Sequence, residues 1–279
     1  MSTYGLICPN FGTSTVFGST LSSIENTLHV GELSKIFTGK AEFCRECGNT
    51  CNVWTASKLE GIKKSSFEAY SYANNQLGFN NVIIGDKNPY FYDGIMGLPD
   101  KIIILLKHPL AHTYSFLRRE ISEVDKHIID DKALLKSFDL YYKTLIERIT
   151  WVNNNFDQKD VYWVYSDAYF TNFPDSLKVV SKHIFSTDIY NLEHITLNNH
   201  YFGGNHKVSH GGNSRHFFEG GFKADVRYQG ILNEDHIRCI LKYSENFKVL
   251  KSLISNRTFQ EIIFGEVLKS DLEELCSYE

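Results

Sequence analysis

The sequence predicts an α/β protein, a P-loop-like three-layer sandwich with a central parallel sheet flanked by helices. Three observations lead to this fold class. Short apolar, β-branched runs alternate with amphipathic segments, a turn rich in Gly, Thr and Ser follows the first run, and Pro marks the beginning of two amphipathic segments. Strands that alternate with helices form parallel sheets, because each helix returns the chain to the same end of the sheet.

The predicted strands are four apolar runs, which read YGLI, NNVIIGDKNP, DKIIILLKHP and DVYWVYSD. The third is the strongest, since five consecutive apolar residues suit a strand that is buried on both faces. Helices are predicted for STLSSIENTL, LAHTYSFLRRE and FPDSLKVVSKHIF, and for residues 130–154, where apolar side chains recur at steps of three and four. Two further helices are predicted from Glu234 onward.

The whole chain, residues 1–279, is predicted to be a single domain with two interruptions. A cysteine-containing insertion at about residues 39–66 shows no clear periodicity and is expected to be irregular. A stretch at about residues 196–230 is dense in Gly, Asn and His. Loops of that length are usually lids, binding loops or disordered segments, and the sequence leaves these alternatives open.

Composition excludes several classes of protein. Of the 279 residues, 42% are hydrophobic and 22% are charged, which is ordinary for a globular enzyme. The net charge of −4 argues against a general nucleic-acid binder. No apolar run approaches the roughly 20 residues of a membrane-spanning helix, and no leader pattern precedes the first strand. We expect a cytoplasmic protein with neither nucleic acid nor membrane as a partner, and its oligomeric state is not specified.

Three of the six cysteines, Cys44, Cys47 and Cys51, cluster in FCRECGNTCNVW. A C-x-x-C pair supplies two thiolates to one metal ion, but a closed zinc site needs four ligands and no His or Cys lies close downstream. A compact turn of reduced cysteines packed by Trp54 is therefore preferred over a structural zinc site. The histidines show no ligand spacing such as H-E-x-x-H, so no catalytic metal is predicted.

The stretch GLICPNFGTSTVFGSTL has the order of strand, loop and helix by which backbone amides and a helix N-terminus bind a phosphate. It lacks the lysine of the Walker A pattern G-x-x-x-x-G-K-[ST], which weighs against a kinase or NTPase. The carboxyl ends of parallel strands meet at one edge of a sheet. Lys87 or Lys107, each following another predicted strand, is therefore expected to replace the missing charge.

Taken together, these segments resemble the sulfotransferases that use 3′-phosphoadenosine 5′-phosphosulfate (PAPS), over about residues 5–210. Residues 9–14 resemble the first loop, P-[KR]-S-G-T-T, and HVGELSKIF resembles a G-E motif of several branches. CRECGNTCNVW loosely matches C-x-C-G-x-x-x-x-C-x-x-W of prokaryotic members, and GDKNP resembles the lysine turn of the tyrosylprotein branch. LLKHPLAHTYSFLRR, VYWVYSDAYFTNFPDSLKVV and HYFGGNHK follow in the family order.

The resemblance implies PAPS as donor and 3′-phosphoadenosine 5′-phosphate (PAP) as product. The 3′-phosphate would be held by Lys107 and Ser115, which keep the family's eight-residue interval. Asn10 stands where the family has Lys or Arg, and an amide cannot neutralise charge. The remaining donor-binding residues implied by the resemblance are Asn10, Phe11, Gly12, Thr13, Ser14 and Thr15 around the 5′-phosphate, and His206 and Lys207 on the late loop.

The resemblance also implies in-line sulfuryl transfer, in which catalysis is mostly positioning and electrostatic stabilisation. Glu32 is the expected general base for the attacking acceptor, and His29 is the rival base. Lys87 is expected to stabilise the departing phosphate.

The expected acceptor atom is a hydroxyl oxygen, or an amine or carbamoyl nitrogen, of a small molecule. Natural products are among the candidate acceptors, including a guanidinium toxin of the saxitoxin type. The alternative is a non-catalytic nucleotide-binding or interaction protein of the same fold. The two hypotheses differ in one requirement: an inert binder does not need Glu32 and Lys87 in the same cleft as the donor loop.

Overall fold

The computed structural model describes residues 2–9, 13–44, 47–65, 78–120, 130–197, 200, 202, 228–229, 231–255 and 261–278. Within these residues, six strands form one parallel sheet in the order β2-β3-β1-β4-β5-β6. The strands are β1 (Ser2–Ile7), β2 (Thr27–Gly31), β3 (Asn81–Ile84), β4 (Lys101–Leu106), β5 (Val161–Tyr165) and β6 (Ile262–Ile263).

Helices connect and cover these strands. Their bounds are α1 Ser14–Leu21, α2 Ser34–Phe37, α3 Ala56–Ser65, α4 Pro89–Phe91, α5 Pro109–Glu120, α6 Asp131–Asn155, α7 Ser166–Thr171, α8 Asp175–Phe185, α9 His194–Leu197, α10 Glu234–Tyr243, α11 Glu245–Ser255 and α12 Gly265–Cys276. The longest, α6, begins where the Asp130 carboxylate accepts a hydrogen bond from the Ala133 amide at 3.3 Å. Within the described part of the chain, no helix is both long and apolar enough to cross a membrane.

The two faces of the sheet are covered by different helices. Along β4, Ile102, Ile104 and Leu106 belong to a buried cluster that also contains the apolar side chains of α6, α10 and α12. The alternating residues Ile103 and Leu105 belong to a second cluster with α1 and α8. Because successive side chains of a strand point to opposite faces, this division confirms the predicted three-layer sandwich.

Three local predictions were wrong. The helix predicted for residues 19–28 does not extend that far, because α1 runs from Ser14 to Leu21 and Thr27–Gly31 pairs with β3 as strand β2. Ladder hydrogen bonds and burial override the local propensity there. The second half of the insertion, expected to be irregular, forms α3. The predicted two-helix tail instead contains α10, α11 and α12, with the two-residue strand β6 before α12.

The order of the strands defines a crevice at their carboxyl ends. Strand β1 lies between β3 and β4, and the chain continues to β2 and β3 on one side of it and to β4, β5 and β6 on the other. Ligands of open α/β sheets bind where the strand order reverses in this way. The loops that follow β1, β3 and β4 therefore meet at the expected binding crevice.

Candidate active site

The first loop leads from β1 directly into α1. Thr13 caps this helix in the left-handed conformation, with φ of 60°, and its carbonyl accepts from the Phe17 amide at 3.0 Å. Positive φ is costly for a β-branched residue, and such strain is concentrated in ligand-binding turns. Ser14 is buried and Thr15 is half-buried at the helix N-terminus, where unsatisfied amides favour an anion. Predicted residues Asn10, Phe11 and Gly12 lie outside the described residues.

Lys107 and Ser115 are brought into direct contact at the end of β4. The Lys107 ammonium donates to the Ser115 hydroxyl oxygen at 3.2 Å, and Lys107 is only 5% exposed. Ser115 uses its own hydroxyl proton to donate to the Ala111 carbonyl at 2.9 Å within α5. The eight-residue interval thus places a cation and a hydroxyl at one point of the crevice, and rotation of the hydroxyl would turn its proton from Ala111 toward a bound anion.

Glu32 and Lys87 are brought together at the ends of the neighbouring strands β2 and β3. The Glu32 carboxylate lies 3.4 Å from the Lys87 ammonium and 2.8 Å from that of Lys35. Burial alone would raise the pKa of the Glu32 carboxyl, but the charges of Lys87 and Lys35 outweigh it and lower the pKa. Glu32 is consequently an ionised carboxylate between two ammonium groups.

Asp86 precedes Lys87 and was not predicted as a site residue. Its buried carboxylate accepts from the Ser34 amide at 2.8 Å and from the Ser34 hydroxyl, and its carbonyl accepts from the Tyr92 hydroxyl. Burial raises the pKa of Asp86 to about 7. These bonds fix the turn that carries Lys87. The signal in the sequence was an acidic residue immediately after a buried strand.

His29 lies inside the protein rather than at the surface of the crevice. It is 1% exposed in β2, and a Cβ atom added to Gly18 of α1 would lie 2.4 Å from its Nε2. Burial lowers the pKa of His29 to about 3. The imidazole is therefore a neutral packing group between β2 and α1. The other predicted imidazole, His206, and its neighbour Lys207 lie outside the described residues.

Arg148 supplies positive charge at the base of the first loop and was missed by the sequence analysis. It is buried on α6, and its guanidinium donates to the Cys8 carbonyl at the end of β1. Burial lowers the pKa of Arg148, but a guanidinium is not deprotonated in proteins, so the side chain stays a cation. The available signal was its spacing, because Arg148 follows Tyr141 and Leu145 along the buried face of α6.

A cavity of 480 Å³ opens at the carboxyl ends of β4 and β5, and His108, the residue after Lys107, forms part of its wall. The His108 amide donates to the Asp167 carboxylate at 2.7 Å, which joins the two strand ends. The His108 ring stacks on the Tyr228 ring with centroids 5.0 Å apart. The cavity thus combines aromatic surfaces with carboxylate acceptors, including Asp167 and Asp271.

The cysteine cluster contains a fourth ligand, so the expectation of only three was wrong. His200 lies 149 residues beyond Cys51 in the sequence, yet its Nδ1 atom is 3.3 Å from the Cys51 sulfur. The ligating atoms of Cys44, Cys47, Cys51 and His200 all lie within 4.8 Å of one another.

No protein-family model matches the sequence, and no curated protein matches it. Among solved structures, the sulfotransferase domain from the Synechococcus PCC 7002 olefin synthase superposes with a TM-score of 0.51 and 14% identity, covering 87% of this chain and 94% of that domain. The chain has the sulfotransferase fold. A sulfotransferase domain from the curacin biosynthetic pathway covers 87% of this chain and 98% of its own, with 11% identity and a TM-score of 0.48.

Because the identity is only 14%, the superposition establishes the sulfotransferase fold alone. The roles of individual residues must therefore be derived from the geometry of this chain.

Proposed function

We propose that this chain is a PAPS-dependent sulfotransferase that transfers a sulfuryl group to a hydroxyl or nitrogen of a small-molecule acceptor. The observation that carries the proposal is the pair of contacts beside the first loop. Lys107 contacts Ser115 on one side of β1, and Lys87 contacts Glu32 on the other side. A sulfotransferase needs both a site for a doubly phosphorylated nucleotide and a proton acceptor beside a cation.

The donor would be held by the ends of three adjacent strands. The N-terminal amides of α1 and the hydroxyls of Thr13, Ser14 and Thr15 bind the 5′-phosphate, with Arg148 adding positive charge below. Lys107 and Ser115 bind the 3′-phosphate. Because neighbouring strands lie about 4.8 Å apart, β3 and β4 flank β1 at a separation of about 10 Å, which one nucleotide spans.

The cavity at the ends of β4 and β5 suits the nucleoside. Its volume of 480 Å³ falls in the usual range for small-ligand sites, and the Tyr228 ring forms part of its wall. The Asp167 carboxylate is able to accept a hydrogen bond from an exocyclic amino group. Closure of His206 and Lys207 over the donor remains a prediction from the sequence.

Catalysis is the role of the residues on the other side of β1 from Lys107. Lys87 stabilises the negative charge that develops on the oxygen between sulfur and the 5′-phosphate as that bond breaks. Glu32 accepts the acceptor's proton as the new bond to sulfur forms. Attack on sulfur makes that proton strongly acidic, so a carboxylate with a lowered pKa suffices as the base. Buried His29 is less suited to this role.

A small-molecule acceptor is supported by the similar sulfotransferase domain, which belongs to a biosynthetic enzyme, an olefin synthase. Guanidinium toxins of the saxitoxin type belong among the acceptors to be assayed. The contact between Glu32 and Lys87 favours the enzyme over a non-catalytic nucleotide-binding protein, since an inert binder has no use for a base at this position.

Calorimetric titration with PAP and with AMP, which lacks the 3′-phosphate, tests the donor site. We expect PAP to bind in the micromolar range or more tightly, and AMP at least tenfold more weakly, as for a lost charge-assisted bond of about 1.5–3 kcal/mol. Lys107→Ala should remove the difference between the two nucleotides.

The matched control is Lys101→Ala, which changes a lysine at the opposite end of the same strand. Lys101 contacts the Tyr4 and Tyr162 rings far from the crevice, so PAP affinity should not change. Absence of PAP binding by folded wild-type protein would end the donor proposal. PAP binding without transfer from labelled PAPS to any acceptor would favour the non-catalytic alternative.

A further inference from the structure

The cluster of Cys44, Cys47, Cys51 and His200 has the dimensions of a tetrahedral metal site. The His200 Nδ1 atom lies 3.3 Å from the sulfurs of both Cys47 and Cys51. All four ligating atoms lie within 4.8 Å of one another. Zinc bonds of about 2.3 Å to sulfur and about 2.0 Å to nitrogen separate the ligand atoms of a tetrahedron by about 3.5–3.8 Å. The longest separation would have to close by up to about 1 Å, which is a shift of about half an ångström for each of the two atoms, to bind an ion at the centre.

The local backbone directs the thiols toward one point. The Gly48 amide donates to the Cys44 carbonyl at 3.0 Å, which closes the C-x-x-C-G turn. Gly48 has a φ of 65°, a left-handed conformation that glycine adopts without steric cost. The Trp54 amide donates to the Cys51 sulfur at 3.3 Å, and a sulfur that accepts a backbone hydrogen bond is stabilised as a thiolate.

Three of the four ligands are buried, and Cys47 is half-buried. Cys44, Cys51 and His200 are buried, and the Trp54 indole donates to the His200 carbonyl at 2.5 Å. Phe202 packs edge-to-face on Trp54 with ring centroids 4.8 Å apart.

We infer that Cys44, Cys47, Cys51 and His200 bind one zinc ion in a structural Cys₃His site. The three thiols and the imidazole are the ligand types that zinc prefers. They occupy all four tetrahedral positions, which leaves none open for water or substrate. The ion is therefore a structural element and takes no part in the chemistry.

The zinc site joins the cysteine insertion to the active site. Two residues beyond His200, the Phe202 amide donates to the Val30 carbonyl at 3.0 Å. The Phe202 carbonyl accepts from the Glu32 amide at 2.8 Å. The ion thus fixes the backbone that positions Glu32. This consequence rests on the proposed function, whereas zinc binding does not.

Metal analysis of the full chain, purified from zinc-supplemented cultures under reducing conditions, tests the inference. We expect about one zinc ion per chain. Exchange for Co²⁺ should give the visible ligand-field bands and the near-ultraviolet charge-transfer band of tetrahedral thiolate coordination. Folded wild-type protein that retains almost no zinc and shows no such cobalt spectrum overturns the inference. A disulfide between two of these cysteines after anaerobic purification also overturns it.

Variants identify the ligands. Cys47→Ser and His200→Ala should lose most of the zinc, whereas His200→Cys, which keeps a ligand, should retain it with a shifted cobalt spectrum. Cys239→Ser is the matched control, because that half-exposed cysteine lies on α10 outside the cluster. If Cys47→Ser and His200→Ala both bind a full equivalent of zinc, the assignment is wrong.

The same preparations separate this inference from the proposed function. Zinc binding by a protein that fails to bind PAP would support the metal site and refute the donor site. PAP binding by folded, zinc-free wild-type protein would refute the metal site alone.

Discussion

Two lysines at the crevice occupy equivalent positions and have different partners. Lys107 follows β4 and Lys87 follows β3, on either side of β1. The ammonium of Lys107 contacts the neutral Ser115 hydroxyl, whereas that of Lys87 contacts the Glu32 carboxylate. Contact with a neutral hydroxyl fits the proposed role of Lys107 in binding an anion. Contact with a carboxylate turns Lys87 into half of a pair that suits proton transfer and charge stabilisation. The two lysines therefore differ in their proposed roles because the side chains that they contact differ.

The largest expected effect is on the carboxylate side. Glu32→Gln removes the proton acceptor but keeps the shape of the side chain, so kcat should fall by about 10²- to 10⁴-fold. PAP affinity should change little, because Glu32 lies on the opposite side of β1 from Lys107. Steady-state kinetics and calorimetry on the same variant check both expectations.

Glu25→Gln is the control for this change, since Glu25 is exposed near the other end of β2. Full turnover by Glu32→Gln would remove Glu32 from the base role and, with it, the contrast between the two lysines.

The second effect concerns the stability of the turn that carries Lys87. The pKa of Asp86 is raised by burial from 3.8 to about 7. Between about pH 4 and pH 7 the folded chain therefore binds more protons than the unfolded chain. The free energy of unfolding should fall in this window as pH rises, by up to about 1.4 kcal/mol per pH unit from this single group.

Asp86→Asn keeps an acceptor for the Ser34 amide and removes the ionisation, so that contribution to the pH dependence should disappear. Urea denaturation of both proteins at several pH values measures the difference. Asp188→Asn, which alters an exposed carboxyl, should have the same pH dependence of the free energy of unfolding as the wild type. Identical pH profiles for wild type and Asp86→Asn would contradict the expectation.

The smallest effect is expected on the Lys107 side. Ser115→Ala should raise the Kd for PAP about three- to tenfold, the value of a single hydrogen bond of about 0.5–1.5 kcal/mol. In a Lys107→Ala background the same substitution should cost less, because Lys107 and Ser115 are proposed to bind the same phosphate. Strictly additive losses in calorimetry would indicate that the two residues bind independently.

The sequence predicted those parts of the fold in which local pattern and tertiary structure agree. Strand β4, with its consecutive apolar residues, and helix α6, with its apolar periodicity, both formed as expected. Strand β2 was missed because its five residues acquire their structure from pairing with β3. The two-residue strand β6 is too short for any periodicity to be read.

The residues of the candidate site also fall into those that a local motif predicts and those that only the folded structure brings into place. Lys107, Ser115, Glu32 and Lys87 were predicted because each lies in a motif next to a strand. Arg148 was not predicted as a site residue, and His200 was not predicted as a partner of the cysteines, since each acts through contacts with residues more than 100 positions away: Arg148 lies 140 positions from Cys8, and His200 lies 149 from Cys51. Such contacts depend on how the chain closes on itself.

The hydrogen bonds of Phe202 to both sides of Gly31 have a practical consequence for segment exchange between related proteins. A chimera that imports a foreign cysteine turn must import its own histidine segment as well, because Cys51 and Trp54 both contact His200 and the imported turn would otherwise meet a segment that does not match it. The two stretches are therefore best moved together as one cassette.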